Sequence, residues 1–319
     1  MTNHNLEEMK KLEAEFFDKS TNLRTVYGQI PFEADMRRAT KFIPFSADEE
    51  LIDSKMTQIL DGKFRDRFIN SVAHCPGGKV LDICCGPGWL ALELGRHGQT
   101  VDAYDLSPKA ITLAKRMLAE NPYKDGFGKV TYHLEDVTRL DLGKETINSI
   151  SGWSAFHHLP NLMSFMDRVH QALKPDGIVA TCDDLPIRRL DRWIGRFFRL
   201  ILPTYDRTYW QKLSDSVRRI RGVTKEQPEY FTPMEKVAAK DEAVFDFADY
   251  LYDKFDVLLD VHFNAFANGP AMQVKGPDWF RYGITRCIVG LDRVLCRLGV
   301  SRGFIRIIIA QKRWIEECP

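Results

Sequence analysis

From Lys79 onward, short apolar runs of strand length alternate with segments whose apolar residues recur every three or four positions. KVLDICC is followed by LALELGRHG, TVDAYD by PKAITLAKRML, and KVTYHLED by a weaker run near 147–154 and then NLMSFMDRVHQAL; GIVATCDD closes the series. This alternation predicts an α/β fold, a Rossmann-like doubly wound sheet with right-handed crossovers, whose core spans 77–185. Ahead of it, a charged amphipathic helix, an irregular stretch at about 20–50 and a helical pattern over 47–72 form a helical N-terminal extension, 1–76. Behind it the alternation breaks. Residues 186–254 read as a cap insertion ending in the helix AVFDFADYLYDKF, and 255–319 carry two strands, 255–263 and 303–313, around an inserted helix at about 279–298. Two successive strands joined in this way leave the last one antiparallel in a seven-stranded, mostly parallel sheet.

Charge changes the picture locally. Basic and acidic residues number 45 and 44, so no global field draws the chain to nucleic acid, and none is expected as a partner. Yet 186–222 carries ten Lys or Arg against three Asp, and 277–313 eight against two. The seven cysteines are scattered without a C-x-x-C pair, which predicts reduced, packing thiols. The N-terminus does not resemble a signal sequence, and no uncharged run approaches the roughly 18 residues of a membrane span. A cytoplasmic protein is expected, with contact at the inner face of a membrane left open.

The candidate chemistry begins at VLDICCGPGWL, 80–90, a buried strand turning through Gly86 and Gly88 into a helix, the shape of a nucleotide loop. Gly86-Pro87-Gly88-Trp89-Leu90-Ala91 also fits the looser dinucleotide fingerprint. Asp105, 19 positions after Gly86, stands where a carboxylate accepts ribose hydroxyls in either class. Asp82, inside the first strand, instead suits a ligand with a cationic end and would repel a pyrophosphate. Asp136, just past the third strand, suits the exocyclic amine of adenine. With these residues the chain resembles the class I S-adenosylmethionine-dependent methyltransferases. The resemblance covers 77–185 well and 243–313 by topology. It implies S-adenosylmethionine as cofactor, with Asp82, Gly86, Gly88, Asp105, Leu106, Asp136 and Val137 binding it, and is extended by H-H-L at 157–159 and K-P-x-G at 174–177. E-A-E-F-F-D at 13–18 and F-T-P-M-E at 231–235 are similar to members acting in polysaccharide, glycolipid or secondary-metabolite pathways. Trp89 and the polar fourth strand, with Asn148, Ser149, Ser151 and Gly152, depart from the family pattern.

Methyl transfer from a sulfonium is an in-line displacement that depends mainly on positioning, with a general base helping where the acceptor is a hydroxyl. His157 and His158, after the fourth strand, are the candidate bases or substrate-positioning groups; packing and capping is the alternative for either. Trp153 is read as a wall of the methionine end or as core, and Asp183, at the end of the fifth strand, as a substrate contact. No third carboxylate completes a magnesium site there, so no metal is expected. The basic segment RRLDRWIGRFFRLILPTYDRTYW, with Arg192 and Arg196, is open to three readings: a lid over an anionic substrate, a helix resting on anionic lipid, or a solvated helix packed by its apolar side. Both basic insertions are expected to rise over the cofactor edge. The acceptor is expected to offer an oxygen on a small molecule, glycan or lipid-linked group. A nicotinamide-dependent oxidoreductase and a non-catalytic S-adenosylmethionine-binding protein are the competing classes.

Overall fold

A computed structural model describes residues 3–25, 30–40, 53–220, 232 and 243–313. Its seven strands are β1 (Lys79–Ile83), β2 (Thr100–Asp105), β3 (Lys129–Leu134), β4 (Ile147–Trp153), β5 (Leu173–Asp184), β6 (Phe255–Phe263) and β7 (Ile305–Lys312). They form one sheet in the order β3-β2-β1-β4-β5-β7-β6. β7 runs antiparallel to both β5 and β6, whereas the pairings among β1 to β5 are parallel. The expected topology is therefore present. The strand order reverses between β1 and β4, the switch point at which open α/β sheets bind ligands beyond their carboxyl ends.

Helices cover both faces of the sheet. On one lie α2 (Ser54–Val72), α3 (Trp89–Arg96) and α4 (Pro108–Ala119), which bury Phe68, Leu94 and Ala114. On the other lie α5 (Leu162–Ala172) and α8 (Ala243–Lys254), which bury Phe165 and Leu251. β4 forms despite its poor strand composition because its hydroxyls find partners. Ser149 Oγ donates to the Val72 carbonyl at 2.8 Å and Ser151 Oγ to Asp82 at 3.2 Å, so the small buried side chains carry no orphaned donor.

The cap segments form a satellite core. α6 (Arg189–Ile201), α9 (Asn268–Gln273) and α10 (Asp278–Arg297) gather around Leu202, Phe266, Val274 and Ile288, against Met56 and Leu60 of α2, and α7 (Tyr209–Ile220) lies against α6. Here the charge reading needs correction. Arg281 is fully buried, paired with Asp53 and Asp278 at 3.0 Å each, and Arg293 donates to the Ile59 and Leu60 carbonyls. These arginines of the second insertion fasten α10 to α2 instead of rising over the cofactor edge. The covering of that edge comes from the N-terminal extension: α1 (Asn3–Thr25) lies against α4, and 30–40 is clamped to α3. Among the described residues, no helix is long and apolar enough to cross a membrane.

Candidate active site

β1 enters a turn that only a special backbone allows: Cys84, Gly86 and Gly88 have φ of 47°, 51° and 90°. A Cβ at Gly86 would meet nothing within 4 Å, so its bare face opens on free space. Gly88 differs. There a Cβ would lie 2.7 Å from the Ala114 side chain and the Tyr132 ring, while Tyr132 Oη donates to the Gly88 carbonyl at 2.9 Å. Gly88 thus lets α3 close onto α4 and β3, and it does not line the cavity beside Gly86.

That cavity holds about 420 Å³, within the range of cofactor-sized sites. Cys84, Gly86, Asp105 and Leu106 line it, with Lys10, Asp136 and Val137, and so do Trp89, Trp153, His158, Phe32 and Asp61. Asp105 is the clasp of the turn. Its Oδ2 accepts from Gly86 N and its Oδ1 from Ser107 N, both at 2.8 Å, which leaves each oxygen a further lone pair. Burial raises its pKa, against the two backbone donors that favour the charge.

Asp136 is more heavily engaged than its sequence position implies. Oδ1 accepts from Thr138 N and Oγ1, at 2.9 and 2.6 Å, and Oδ2 faces Lys10 Nζ at 2.6 Å and Arg139 Nε at 3.2 Å. Burial opposes its ionisation, but Lys10 and Thr138 outweigh it and hold the carboxyl below its ordinary value. An adenine amine would have to share this acceptor with Lys10.

Asp82 lies behind the turn and does not line the cavity. It is 1% exposed, Ser151 supplies one bond, and Oδ2 has no hydrogen-bond partner; burial pushes its pKa up to about 8, with Ser151 opposing.

The histidine pair divides. His158 lines the cavity, with its Nδ1 2.8 Å from Glu13 of α1 and its ring edge-on to Phe17. His157 stands outside it, with Nδ1 2.7 Å from Asp183 Oδ1, and shares with Thr181 and Arg306 a separate pocket of about 40 Å³. Thr181 Oγ1 also donates to Asp183, and these partners hold the carboxyl below its ordinary value although burial opposes them. Asp183, expected as a substrate contact, lines that small pocket and not the larger cavity, and its oxygens accept from His157 and Thr181. Arg192 and Arg196 lie outside the cavity too. Arg192 is exposed on α6, and Arg196, over the Trp193 ring, lines a groove between α6 and α7. Among 231–235, only Thr232 is described; its Oγ1 lies 3.4 Å from His158 Nδ1.

Several lining residues were not read from the sequence. Asp61 and Arg65, one helical turn apart on α2, pair at 3.0 Å, and burial pushes Asp61 up to about 6 against the Arg65 charge. Phe32 lies under the Arg65 guanidinium. Its segment is pinned by Asp35, which receives Arg96 and Arg38; burial opposes the charge on Asp35, and those two donors override it. The i, i+4 spacing of Asp61 and Arg65 is that of a helical ion pair, but nothing local signals that the pair lines the same cavity as Gly86.

Residues 80–177 match a family model described as a methyltransferase domain. This core belongs to the class I S-adenosylmethionine-dependent methyltransferases. An uncharacterized methyltransferase of Synechocystis is 33% identical over 134 residues, covering 41% of this chain and 58% of its own. A demethylmenaquinone methyltransferase of Desulfitobacterium hafniense is 27% identical over 139 residues, 42% of this chain and 53% of its own. A ubiquinone biosynthesis O-methyltransferase of Actinobacillus pleuropneumoniae is 29% identical over 105 residues, 32% and 44%. The chain spans about half the length of these relatives.

Proposed function

We propose that this methyltransferase transfers a methyl group from S-adenosylmethionine to an oxygen on a flat, apolar acceptor carried by a lipid. The observation that carries the reading is the single cavity joining the Gly86–Asp105 turn, the Asp136–Val137 loop and the Trp89, Trp153 and His158 walls. S-adenosylmethionine, when bound, supplies a sulfonium-activated methyl group. Asp105 receives the ribose hydroxyls on its remaining lone pairs, Gly86 gives them room, and Val137 and Leu106 flank the adenine. An ammonium bound over the turn would favour ionisation of the buried Asp82 carboxyl, which keeps its proton in the cofactor-free chain. Trp89 and Trp153, edge-to-face at 5.3 Å, exclude water and offer ring surface to the acceptor. His158, whose Nδ1 lies 2.8 Å from Glu13, takes the hydroxyl proton as the new carbon–oxygen bond forms and the sulfur–carbon bond breaks. His157, whose ring lies 4.1 Å from that of His158, braces it through Asp183.

Relatives named for ubiquinone and demethylmenaquinone methylation support a ring acceptor, and a lipid-linked one sets the chain to work at a membrane surface. The test is incubation with methyl-labelled S-adenosylmethionine and a host extract, followed by organic–aqueous partition. Organic-phase label is expected. His158→Ala should lower turnover by about 10²–10⁴-fold while leaving cofactor binding in place. Label confined to water would overturn the lipid-linked acceptor, and cofactor binding with no label in any fraction would make the chain a non-catalytic binder.

A further inference from the structure

α6 carries more apolar surface than the fold uses. Its inward row, Ile194 and Phe198, packs on the satellite core, with Phe198 stacked on Phe266 at 5.9 Å and Leu202 buried beyond it. A second row, Leu190, Trp193, Phe197 and Ile201, follows the same three-to-four spacing and faces solvent, with Trp193 65% and Phe197 57% exposed. α7 repeats the arrangement: Trp210, Leu213 and Val217 are all exposed, Trp210 at 82%. Single exposed apolar residues are ordinary, but an exposed row on each of two neighbouring helices is more apolar surface than scattered residues leave, and surface of this kind marks an interaction site.

The patch is held rigidly. Lys212 Nζ donates to the Leu202 carbonyl at 2.5 Å and Tyr209 Oη to the Ile201 carbonyl at 3.2 Å. Arg199 pairs with Asp206 and Arg207 with Asp215 across the connection, and Tyr205 N and Lys275 N tie it to α9 and its flank. Both apolar rows are therefore presented by fixed helices.

Charge selects the occupant. Arg189, Arg192 and Arg196 run along α6 in the row beside Leu190, Trp193 and Phe197, and residues 186–222 carry ten basic and three acidic side chains in a chain whose net charge is only +1. A basic border and an apolar stripe that includes exposed tryptophan are the components of a helix that lies in the headgroup region of anionic lipid. We propose that α6 and α7 form a docking face for an anionic membrane surface. α6 leaves the carboxyl end of β5, the sheet edge onto which the cavity opens, so docking would bring that edge close to lipid. The inference deepens the reading of a lipid-linked acceptor, while its readout is independent of methyl transfer.

The experiment is co-sedimentation of the full chain with phosphatidylcholine vesicles, with and without phosphatidylglycerol, at low and high salt. Binding to the anionic vesicles is expected, weakened by salt and about tenfold or more weaker on neutral vesicles. Trp193→Ser/Phe197→Ser and Arg189→Glu/Arg192→Glu should each lose about tenfold in vesicle affinity, with unchanged circular dichroism and unchanged S-adenosylmethionine binding in vesicle-free buffer. Absence of binding to anionic vesicles, or equal binding by the variants, would overturn the proposal. So would a vesicle-free dimer that Trp193→Ser/Phe197→Ser abolishes, since the face would then belong to a second copy. Vesicle binding without methyl transfer would leave the docking face standing and count against the enzymatic reading alone.

Discussion

At the residue scale, the two glycines of the turn have different tasks. Gly86 opens on the cavity, while Gly88 is pressed by Ala114 and Tyr132 at φ 90°. Gly88→Ala combines a left-handed penalty with overpacking and should cost about 2–4 kcal/mol in denaturant unfolding; a cost below about 0.5 kcal/mol would contradict the packing role. Asp82 makes a pH-dependent statement. Its folded pKa, raised to about 8, means the folded chain keeps a proton that the unfolded chain has already released above the ordinary carboxyl value. Its contribution is thus fully present at acid pH and is lost as pH rises to about 8, at roughly 1.4 kcal/mol per pH unit. Without cofactor, Asp82→Asn should therefore be less costly at pH 8 than at pH 5, and a constant cost would contradict the buried, protonated carboxyl. That Asp105, Gly86 and Asp136 line one cavity was legible, because a strand end followed by a turn fixes where neighbouring side chains go. Lys10 and Glu13 were not, because each meets its partner more than a hundred residues away.

At the element scale, periodicity announced the strands and helices, including β7 as the antiparallel strand, but could not say which elements close the site. α1 and the 30–40 segment do so, and their signal lies in long-range pairs: Lys10 with Asp136, Glu13 with His158, Asp35 with Arg96. Counting charges misled in the second insertion, since a count does not separate a buried guanidinium from a solvated one. The difference is measurable. Arg281→Ala strands Asp53 beside an empty buried site and should cost about 3–5 kcal/mol, whereas Arg192→Ala, exposed on α6, should stay within about 0.5 kcal/mol. Equal costs would mean that α10 is not fastened to α2 through Arg281.

At the scale of the whole molecule, the chain divides its labour along the sheet. The β1–β4 switch point and the turn after β1 make the cavity proposed for the cofactor, the N-terminal extension lines it, and the cap helices build a satellite core whose outer face is apolar and basic. The most direct test of that division is calorimetric titration of S-adenosylmethionine and of NADH into the wild type, Asp105→Ala and Arg192→Ala. S-adenosylmethionine should bind and NADH should not; Asp105→Ala should weaken binding by about 10–100-fold, the magnitude of hydrogen bonds to a charged group, and Arg192→Ala should leave it unchanged. Preference for NADH, or equal losses in the two variants, would contradict the cavity as the S-adenosylmethionine site.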